Sequence, residues 1–489
     1  MTRWLLLALA LSGCDVVLGL EHVDPVAPKV RGTFRYRTVV NTALLEPMTV
    51  EEILPGEGLS LAAFLDDATE TPLEYREDGS FSFPIDHAGQ LYKIRYTSGT
   101  SIQEWQHTAP ELAIGVTTAG RRDARPVAQT SVTVSNYVPL APTQPLQITS
   151  TGVYTQSSTA MVGPSVTFDW RLAAPASGSI AGMLDANKND HIYAYELETA
   201  TAGSSPPYSR IRGLSQAAIS QAQGTAATLP QLAPVAQNLC MRVRSNGAAE
   251  KTRITNTHPR MYTRETGNWL SYSAPAPDWV GLGGAIYSAI CGFIGPRDLD
   301  IAPVMHDPYP GTTLIAATAT SMNFLVQLPG TGTSAELGNA TRVYKVAERG
   351  APPACTPVVA QLDATIGLPG AFLLDGETLN FDNEEIPLDL ARSPVLSWDV
   401  LAAGPIDFTS VVLYELQAIN NVTTLVFRWS ATTVGTSAQV EPSMLEVGHT
   451  YLFAAVPQLG RPNAATGDMM TVQFPVENAT LYTYTFVVR

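Results

Sequence analysis

Short runs in which apolar and polar residues alternate recur along the chain, and they predict β-strands. Leu91 to Arg95 alternates in this way, as expected for a strand with one buried face. Upstream, Asp78-Gly79 predicts a tight turn, and Phe81 and Phe83 share one face of the strand that follows. Helical patterns are sparse, and residues 214–223 form one short candidate helix. The chain is therefore predicted to be all-β, built from β-sandwich modules.

Two distant segments share a pattern of strands. In each, a strand that ends in tryptophan (Trp170 or Trp398) precedes a strand that contains Tyr-Glu-Leu (195–197 or 414–416). Both tryptophans are expected to be buried in sandwich cores. The pattern indicates an internal repeat.

The second segment continues with Leu445 and, six residues later, Tyr451. This spacing resembles the tyrosine corner of a fibronectin type III sandwich. The resemblance implies a buried ring whose hydroxyl group bonds to the backbone of the corner. In the first segment, Leu232 and Asn238 take the corresponding positions, so the tyrosine is missing there.

The N-terminal part of the chain shows a third pattern. It opens with Val30-Arg31-Gly32, continues with the strand of Phe81 and Phe83, and then has a strand from Leu91 to Tyr96. The pattern resembles the carboxypeptidase-regulatory-like, transthyretin-type sandwich. In that family such modules are accessory folds without catalytic residues.

An apolar run from Trp4 to Leu11 follows the single positive charge of Arg3 and precedes Ser12-Gly13-Cys14. The arrangement resembles a bacterial lipoprotein signal peptide, which implies cleavage before Cys14 and acylation of its thiol. The run is too short to span a bilayer, which takes about 20 apolar residues. The chain is therefore predicted to belong to the bacterial cell envelope, periplasmic or at the cell surface, with the lipid as its membrane anchor.

The predicted organisation is a string of modules behind a short leader. In chain order its parts are a signal peptide (1–13), a tether (14–29), a carboxypeptidase-regulatory-like sandwich (30–127), a fibronectin III-like sandwich (135–260), a β-rich module of unassigned family (261–384) and a second fibronectin III-like sandwich (385–489).

Composition and charge narrow the possible partners. The chain has 489 residues, of which 45% are hydrophobic, and its net charge is −15. An acidic surface repels phosphate backbones, so nucleic acid is excluded as a partner. The same charge disfavours direct adhesion to anionic lipid heads. Membrane attachment is therefore predicted to depend on the lipid.

Four cysteines are present, and Cys14 is assigned to the lipid. An oxidising envelope permits one disulfide among the other three. Cys240 lies two residues past Asn238, on the same face of its strand, so it is predicted to be buried and left out of the bond. Cys291 and Cys355 lie in the unassigned module and are the predicted pair.

Asp185 to Glu196 resembles a calcium loop of the EF-hand kind. Oxygen ligands would come from Asp185, Asn187, Asn189 and Asp190, because calcium prefers oxygen donors at this spacing. Two features count against calcium. Asp190 stands where such loops usually have glycine, and Glu196 has a counterpart in the repeat, Glu415, which follows no such loop. The alternative interpretation is an Asx-rich loop between two strands. Calcium is the one cofactor that the sequence suggests.

Three aromatic residues outside the repeated core positions, Trp269, Tyr272 and Trp279, are a candidate sugar platform, with core packing as the alternative. The acidic run formed by Asp375, Glu377, Asp382, Glu384 and Glu385 is interpreted as a solvated loop, with a divalent-ion site as the alternative.

Catalytic motifs are absent from the sequence. It contains no His-Glu-x-x-His, no Gly-x-Ser-x-Gly and no Gly-x-Gly-x-x-Gly, so no catalytic residue is assigned. The prediction is a non-catalytic binding or scaffolding protein whose partner is an envelope protein or a polysaccharide. The first alternative is a glycan- or matrix-binding protein. The second is an envelope hydrolase, which needs a cleft that joins Asp298, Asp300 and His306.

Overall fold

The structure is a computed structural model. It describes residues 28–40, 49–53, 59–66, 69–119, 131–135, 145–150, 155–160, 165–169, 174–175, 184–188, 191–201, 208–218, 220, 226–235, 237–273, 287–289, 298–302, 304–306, 314–350 and 359–489. These residues form strands, one α-helix and short 3-10 turns, so the predicted all-β class is confirmed. Among them, no helix is long and apolar enough to cross a bilayer.

The first region packs two sheets face to face. Its strands are β1 (Lys29–Val40), β2 (Thr49–Ile53), β3 (Leu59–Leu65), β4 (Glu70–Thr71), β5 (Glu74–Tyr75), β6 (Ser80–Pro84), β7 (Tyr92–Ser98), β8 (Ser101–His107) and β9 (Glu111–Ala119). One sheet has the order β2-β1-β6-β5, with β9 parallel to β1. The strands β3, β4, β7 and β8 belong to the other sheet. Val30 and Phe34 from the first sheet pack with Ile94 and Trp105 from the second.

The local predictions for this region are confirmed. Gly79 has a φ of 79°, and the Asp78 carboxylate accepts the backbone N–H of Ser80 at 2.9 Å, which closes the tight turn. Phe81 and Phe83 point into the core, with ring centroids 6.3 Å apart.

Strand β7 differs from its prediction on one face. Alternation placed Lys93 in solvent, but its side chain is buried. The reason is non-local: the polar face of β7 and β8 is covered by the last sandwich, and the carboxylates of Glu104 and Glu441 act on Lys93 electrostatically.

The second region also forms a sandwich. Its strands are β10 (Ser131–Ser135), β11 (Pro145–Ser150), β12 (Thr155–Ala160), β13 (Ser165–Asp169), β14 (Ala174–Pro175), β15 (His191–Ala200), β16 (Tyr208–Ala218), β17 (Ala226–Thr228), β18 (Ala233–Pro234), β19 (Gln237–Cys240) and β20 (Val243–Asn246). The sheets β13-β10-β17 and β14-β12-β11-β15-β16-β18 enclose a core that includes Val132, Leu146 and Ile192.

The predicted equivalence between Asn238 and Tyr451 is wrong. In a corner arrangement the strand of Asn238 would pair with β15, which carries Tyr-Glu-Leu. Instead β19 pairs with residues 304–306, and β11 occupies that edge of β15. Strand pairing is a non-local choice that the local spacing does not determine.

The α-helix among the described residues is α1 (Gly247–Thr257). Asn246 caps it by accepting the N–H of Ala249 at 2.9 Å, and Asp298 accepts the N–H of Ala248 at 3.3 Å. The predicted helix over 214–223 is wrong, because residues 214–218 continue β16, which pairs with β15.

The third region contains β21 (Arg264–Ser273), β22 (Tyr287–Ala289), β23 (Asp298–Ile301), β24 (Val304–His306), β25 (Leu314–Gln327), β26 (Ser334–Ala347) and β27 (Ala360–Gln361). The strands β25 and β26 form a long hairpin, whose register runs unbroken from Leu314 opposite Ala347 to Gln327 opposite Ser334. The part near its tip packs through Phe324 and Val326 on Leu416 and Leu452 of the last sandwich.

The last sandwich has the largest hydrophobic core among the described residues. Its strands are β28 (Leu368–Leu374), β29 (Glu377–Thr378), β30 (Glu384–Ile386), β31 (Val395–Ala402), β32 (Phe408–Ile419), β33 (Val422–Thr433), β34 (Ser437–Gln439), β35 (Thr450–Leu459), β36 (Val476–Tyr482) and β37 (Phe486–Val488). Strand β28 pairs with β31, so the sandwich begins before the predicted boundary at residue 385.

The predicted tyrosine corner is present in this sandwich. The Tyr451 side chain is fully buried, and its hydroxyl oxygen accepts the backbone N–H of Glu446 at 2.9 Å. Leu445 and Trp398 are buried in the same core, as predicted. Burial raises the pKa of Tyr451 to about 12.

Candidate functional site

The first region and the last sandwich share a sheet. Strand β8 lies parallel to β33, and the register runs from Ile102 opposite Trp429 to Gln106 opposite Thr433. Through this pairing, the described strands of the 14-stranded sheet extend from β22 to β4 and cross the predicted module borders. The two ends of the described chain therefore form one continuous structure.

A buried polar cluster, here called the junction network, lies beside this pairing. It consists of Arg95, Glu104, Trp429 and Glu441. The carboxylate of Glu104, which is fully buried, accepts hydrogen bonds from Arg95 Nε at 2.8 Å and Trp429 Nε1 at 3.1 Å. Arg95 also pairs with Glu441. One charged side chain of the first region is thus held by carboxylates from both regions.

The charges of the junction network affect its neighbours. Burial alone would lower the pKa of Arg95, but Glu104 and Glu441 outweigh it and raise the pKa. Burial also lowers the pKa of Lys93, and there the two carboxylates only partly oppose it. The side-chain amide of Gln106 donates to the Gln439 carbonyl at 2.7 Å and accepts the Gln439 N–H at 2.9 Å.

A histidine fastens a second part of the last sandwich to the first region. The N–H of Ala109 donates to His107 Nδ1 at 2.8 Å, which leaves Nε2 as the protonated atom that donates to the Ala464 carbonyl at 2.9 Å. Burial lowers the pKa of His107, in keeping with a neutral ring. The ring thus holds the 3-10 turn Ala464–Thr466 against the end of β8.

The chain after this turn meets β9. Ala113 exchanges backbone hydrogen bonds with Gly467 and Met469 at 2.9 and 3.0 Å. Gly467 has a φ of 101°, and a Cβ added there would lie 1.9 Å from the Glu111 carbonyl oxygen. Only glycine therefore permits this approach.

A groove of about 530 Å³ opens between β1, β9 and this segment. We call it the junction groove; its lining residues are Arg31, Gly32, Thr33, Glu111, Leu112, Ala113, Asn463, Thr466, Gly467 and Asp468. Six of these ten residues have polar or charged side chains. Since ligand sites are commonly found where two domains meet, the junction groove is the candidate binding site of the described chain.

The candidate calcium loop is described only in part. Residues 186–188 form a 3-10 turn, and Asp185 accepts the N–H of Asn187 at 2.9 Å. Asn189 and Asp190 lie outside the described residues. Within the described ranges, no group of three or more His, Cys, Asp or Glu residues is placed to hold a metal ion. The calcium site therefore stays a prediction.

The candidate sugar platform is also only partly described. Trp269 and Tyr272 lie on β21, opposite Ala319 and Ala316 of β25. The description there covers the backbone alone, and Trp279 lies outside it. The platform stays a prediction.

Cys240 is buried, as predicted, but it is disulfide-bonded. The expectation that Cys240 stays out of the disulfide is wrong, because burial on a strand does not prevent a bond to a neighbouring segment. Cys291 and Cys355, the predicted pair, lie outside the described residues, as does the acylation candidate Cys14.

The acidic residues of the alternative hydrolase cluster, Asp298 and Asp300, have structural roles. Asp300 bonds Arg242 at 3.0 Å and Arg244 at 2.9 Å, and Asp298 lies at the start of α1. His306 is described on β24 by its backbone only.

The acidic run 375–385 is held largely by arginines. Asp375, Asp382 and Glu385 pair with Arg392, Arg260 and Arg489. Glu377 lies on β29, and Glu384 and Glu385 lie on β30, so only Asp375 and Asp382 lie outside strands, as the loop interpretation predicted.

No family model and no curated protein matches the chain. Similar solved structures include the N-terminal four immunoglobulin domains of Dscam1 isoform 8.4 (8% identity, 95% of this chain, 99% of that chain, TM-score 0.13) and a tetra-tandem repeat from the extending region of a large adhesion protein (12% identity, 94% and 99%, TM-score 0.14). A third is immunoglobulin domains 1–4 of Sidekick-1 (9% identity, 96% and 98%, TM-score 0.12). At TM-scores this low, the likeness to these structures does not indicate a shared function.

Sequence reasoning missed both the junction network and the junction groove. The hairpin β7–β8 places Arg95 opposite Glu104, a pairing that the short turn between the strands makes accessible to prediction. The contributions of Trp429 and Glu441 come from more than 300 positions further along the chain, and no local signal connects them.

Proposed function

We propose that this chain is a lipid-anchored protein of the bacterial cell envelope that binds or scaffolds a partner without catalysing a reaction. The lipid attaches at Cys14 after removal of residues 1–13. The observation that supports a scaffold is the parallel pairing of β8 with β33, reinforced by the junction network. The partner is an envelope protein or a polysaccharide.

The argument rests on how the anchor would be connected to the rest of the fold. The tether would enter the fold at β1, and β1 belongs to the region that is fastened to the last sandwich through Glu104 and His107. A partner bound to the last sandwich would be held in a fixed orientation relative to the first region, which the tether would join to the anchor. Titratable groups at the junction bond one another, which suits a structural role better than a catalytic one.

The finer family assignments are part of the proposal. The corner formed by Tyr451 supports a fibronectin III-like sandwich at the C-terminal end. In the first region, the antiparallel pairing of Gly32 with Phe81 joins the two strands that carry the carboxypeptidase-regulatory-like pattern.

The anchor is tested by fractionating cells that express the parent or the Cys14→Ser variant. The parent is expected in the membrane fraction after washes with high salt and to be released by detergent, because a lipid and not charge holds it. Cys14→Ser is expected to leave the membrane in the high-salt washes, because only salt-sensitive contacts remain without the lipid. Cys291→Ser is the matched control, since it removes a cysteine outside the lipobox, and it should stay with the membrane. Equal membrane retention of Cys14→Ser would count against the proposal.

A further inference from the structure

Two opposite charges stand side by side in the junction groove. The strands β1 and β9 are parallel, and Arg31 lies directly opposite Glu111. Both side chains are exposed, and neighbouring strands are about 4.8 Å apart. Within the described part of the chain, neither charged group forms an ion pair.

The facing wall of the junction groove is already satisfied. The Asp468 carboxylate accepts the N–H groups of Met470 and Thr471 at 2.9 and 3.0 Å. The hydroxyl of Thr466 donates to the Asn463 carbonyl at 2.9 Å. The guanidinium of Arg31 and the carboxylate of Glu111 are therefore the charged groups that this groove can offer to a ligand.

These two groups define the chemistry of the ligand. A guanidinium binds phosphate oxygens through two parallel hydrogen bonds, and a carboxylate accepts N–H donors. A ligand that satisfies both at once carries a phosphate and an ammonium group a short distance apart. Such a zwitterion has no net charge, so the net charge of −15 does not repel it.

The position of the groove relative to the proposed anchor indicates that such a ligand would be part of the membrane surface. Arg31 lies at the start of β1, the strand that follows the predicted tether 14–29. A fully extended tether of that length reaches roughly 50 Å. A lipid at Cys14 would therefore keep the start of β1 within roughly 50 Å of the membrane surface, and a bent tether would let the junction groove reach the headgroups.

We infer that the junction groove binds a phosphoethanolamine headgroup, with the phosphate on Arg31 and the ammonium on Glu111. The inference rests on the proposed function for its location, because the lipid anchor brings the groove to the membrane. Phosphocholine should bind less well, since its quaternary ammonium has no N–H to donate to Glu111.

The test uses the mature chain, residues 14–489, with Cys14→Ser, which cannot be acylated there, and measures co-sedimentation with vesicles. Phosphatidylcholine vesicles with and without phosphatidylethanolamine are compared. Binding should require phosphatidylethanolamine. Glu111→Gln should weaken it about tenfold, the loss expected for one hydrogen bond to a charged group, and Arg31→Ala, which loses two such bonds, should weaken it more than about tenfold. Arg392→Ala and Glu377→Gln, exposed residues outside the groove, are the matched controls and should bind as the parent does.

Soluble glycerophosphoethanolamine separates recognition of the headgroup from adhesion to a surface. It should compete with the vesicles if the groove binds the headgroup. Equal binding to phosphatidylcholine vesicles, no binding to either vesicle, or binding unchanged in both groove variants would overturn the inference. Because the assay uses the Cys14→Ser chain, a failure here leaves the proposed lipid anchor untouched, and a failure of acylation leaves this result untouched.

Discussion

Glu104 offers the sharpest test of how the two ends of the chain are joined. Its side chain has no exposed surface, and it accepts hydrogen bonds from Arg95 and Trp429. Glu104→Gln keeps the shape of the side chain but removes its charge. The new amide NH2 group must then face an N–H donor of Arg95 or Trp429. Removing one partner of a buried pair costs about 3–5 kcal/mol. Arg95 keeps Glu441, so we expect a loss near the lower limit, about 3 kcal/mol.

The measurement is the free energy of unfolding in urea, followed by tryptophan fluorescence. Glu385→Gln is the matched control, because its pair with Arg489 spans 3.8 Å and both side chains are mostly exposed. That pair should contribute under about 1 kcal/mol. If Glu104→Gln destabilises the protein no more than Glu385→Gln does, the junction network does not hold the two regions together.

For three further substitutions the structure determines the direction of the change in the free energy of unfolding, and urea unfolding measures each. Burial raises the pKa of Glu196 to about 7 from 4.5, so Glu196→Gln should raise the free energy of unfolding at pH 8 and lose this effect below pH 4.5, where the carboxyl is protonated in both states. Burial lowers the pKa of His258 from 6.5 to about 4. As the pH falls from about 6.5 to about 4, the free energy of unfolding of the parent should therefore fall by about 3 kcal/mol relative to that of His258→Gln. A pH-independent difference would contradict either prediction. Cys240→Ser should cost about 2–5 kcal/mol, and a reductant should destabilise the parent but not this variant; alkylation of Cys240 in the folded, unreduced parent would contradict this.

Local patterns predicted the parts of the fold that depend on neighbouring residues. The strand of Phe81 and Phe83 and the corner of Tyr451 each depend on a side-chain period or a short spacing, and both are present. The helix α1 carries the signals of an Asn246 cap and a glutamate in its first turn, so it was within reach of the same reasoning.

The pairing of distant strands accounts for what the sequence could not predict. Asn238 has the spacing of a corner residue, but β11 takes the edge of β15 where its strand would pair. Lys93 has the alternation of an exposed residue, but the last sandwich covers it. The junction groove arises in the same way, since Arg31 and Asp468 come together only when the ends of the chain meet.

The most direct test of the account is mass spectrometry of the N-terminal peptide from protein purified out of the membrane fraction. The account predicts a peptide that begins at Cys14 and carries the mass of acyl chains, with residues 1–13 absent. A peptide that retains residues 1–13, or one with an unmodified Cys14, would contradict the proposed anchor.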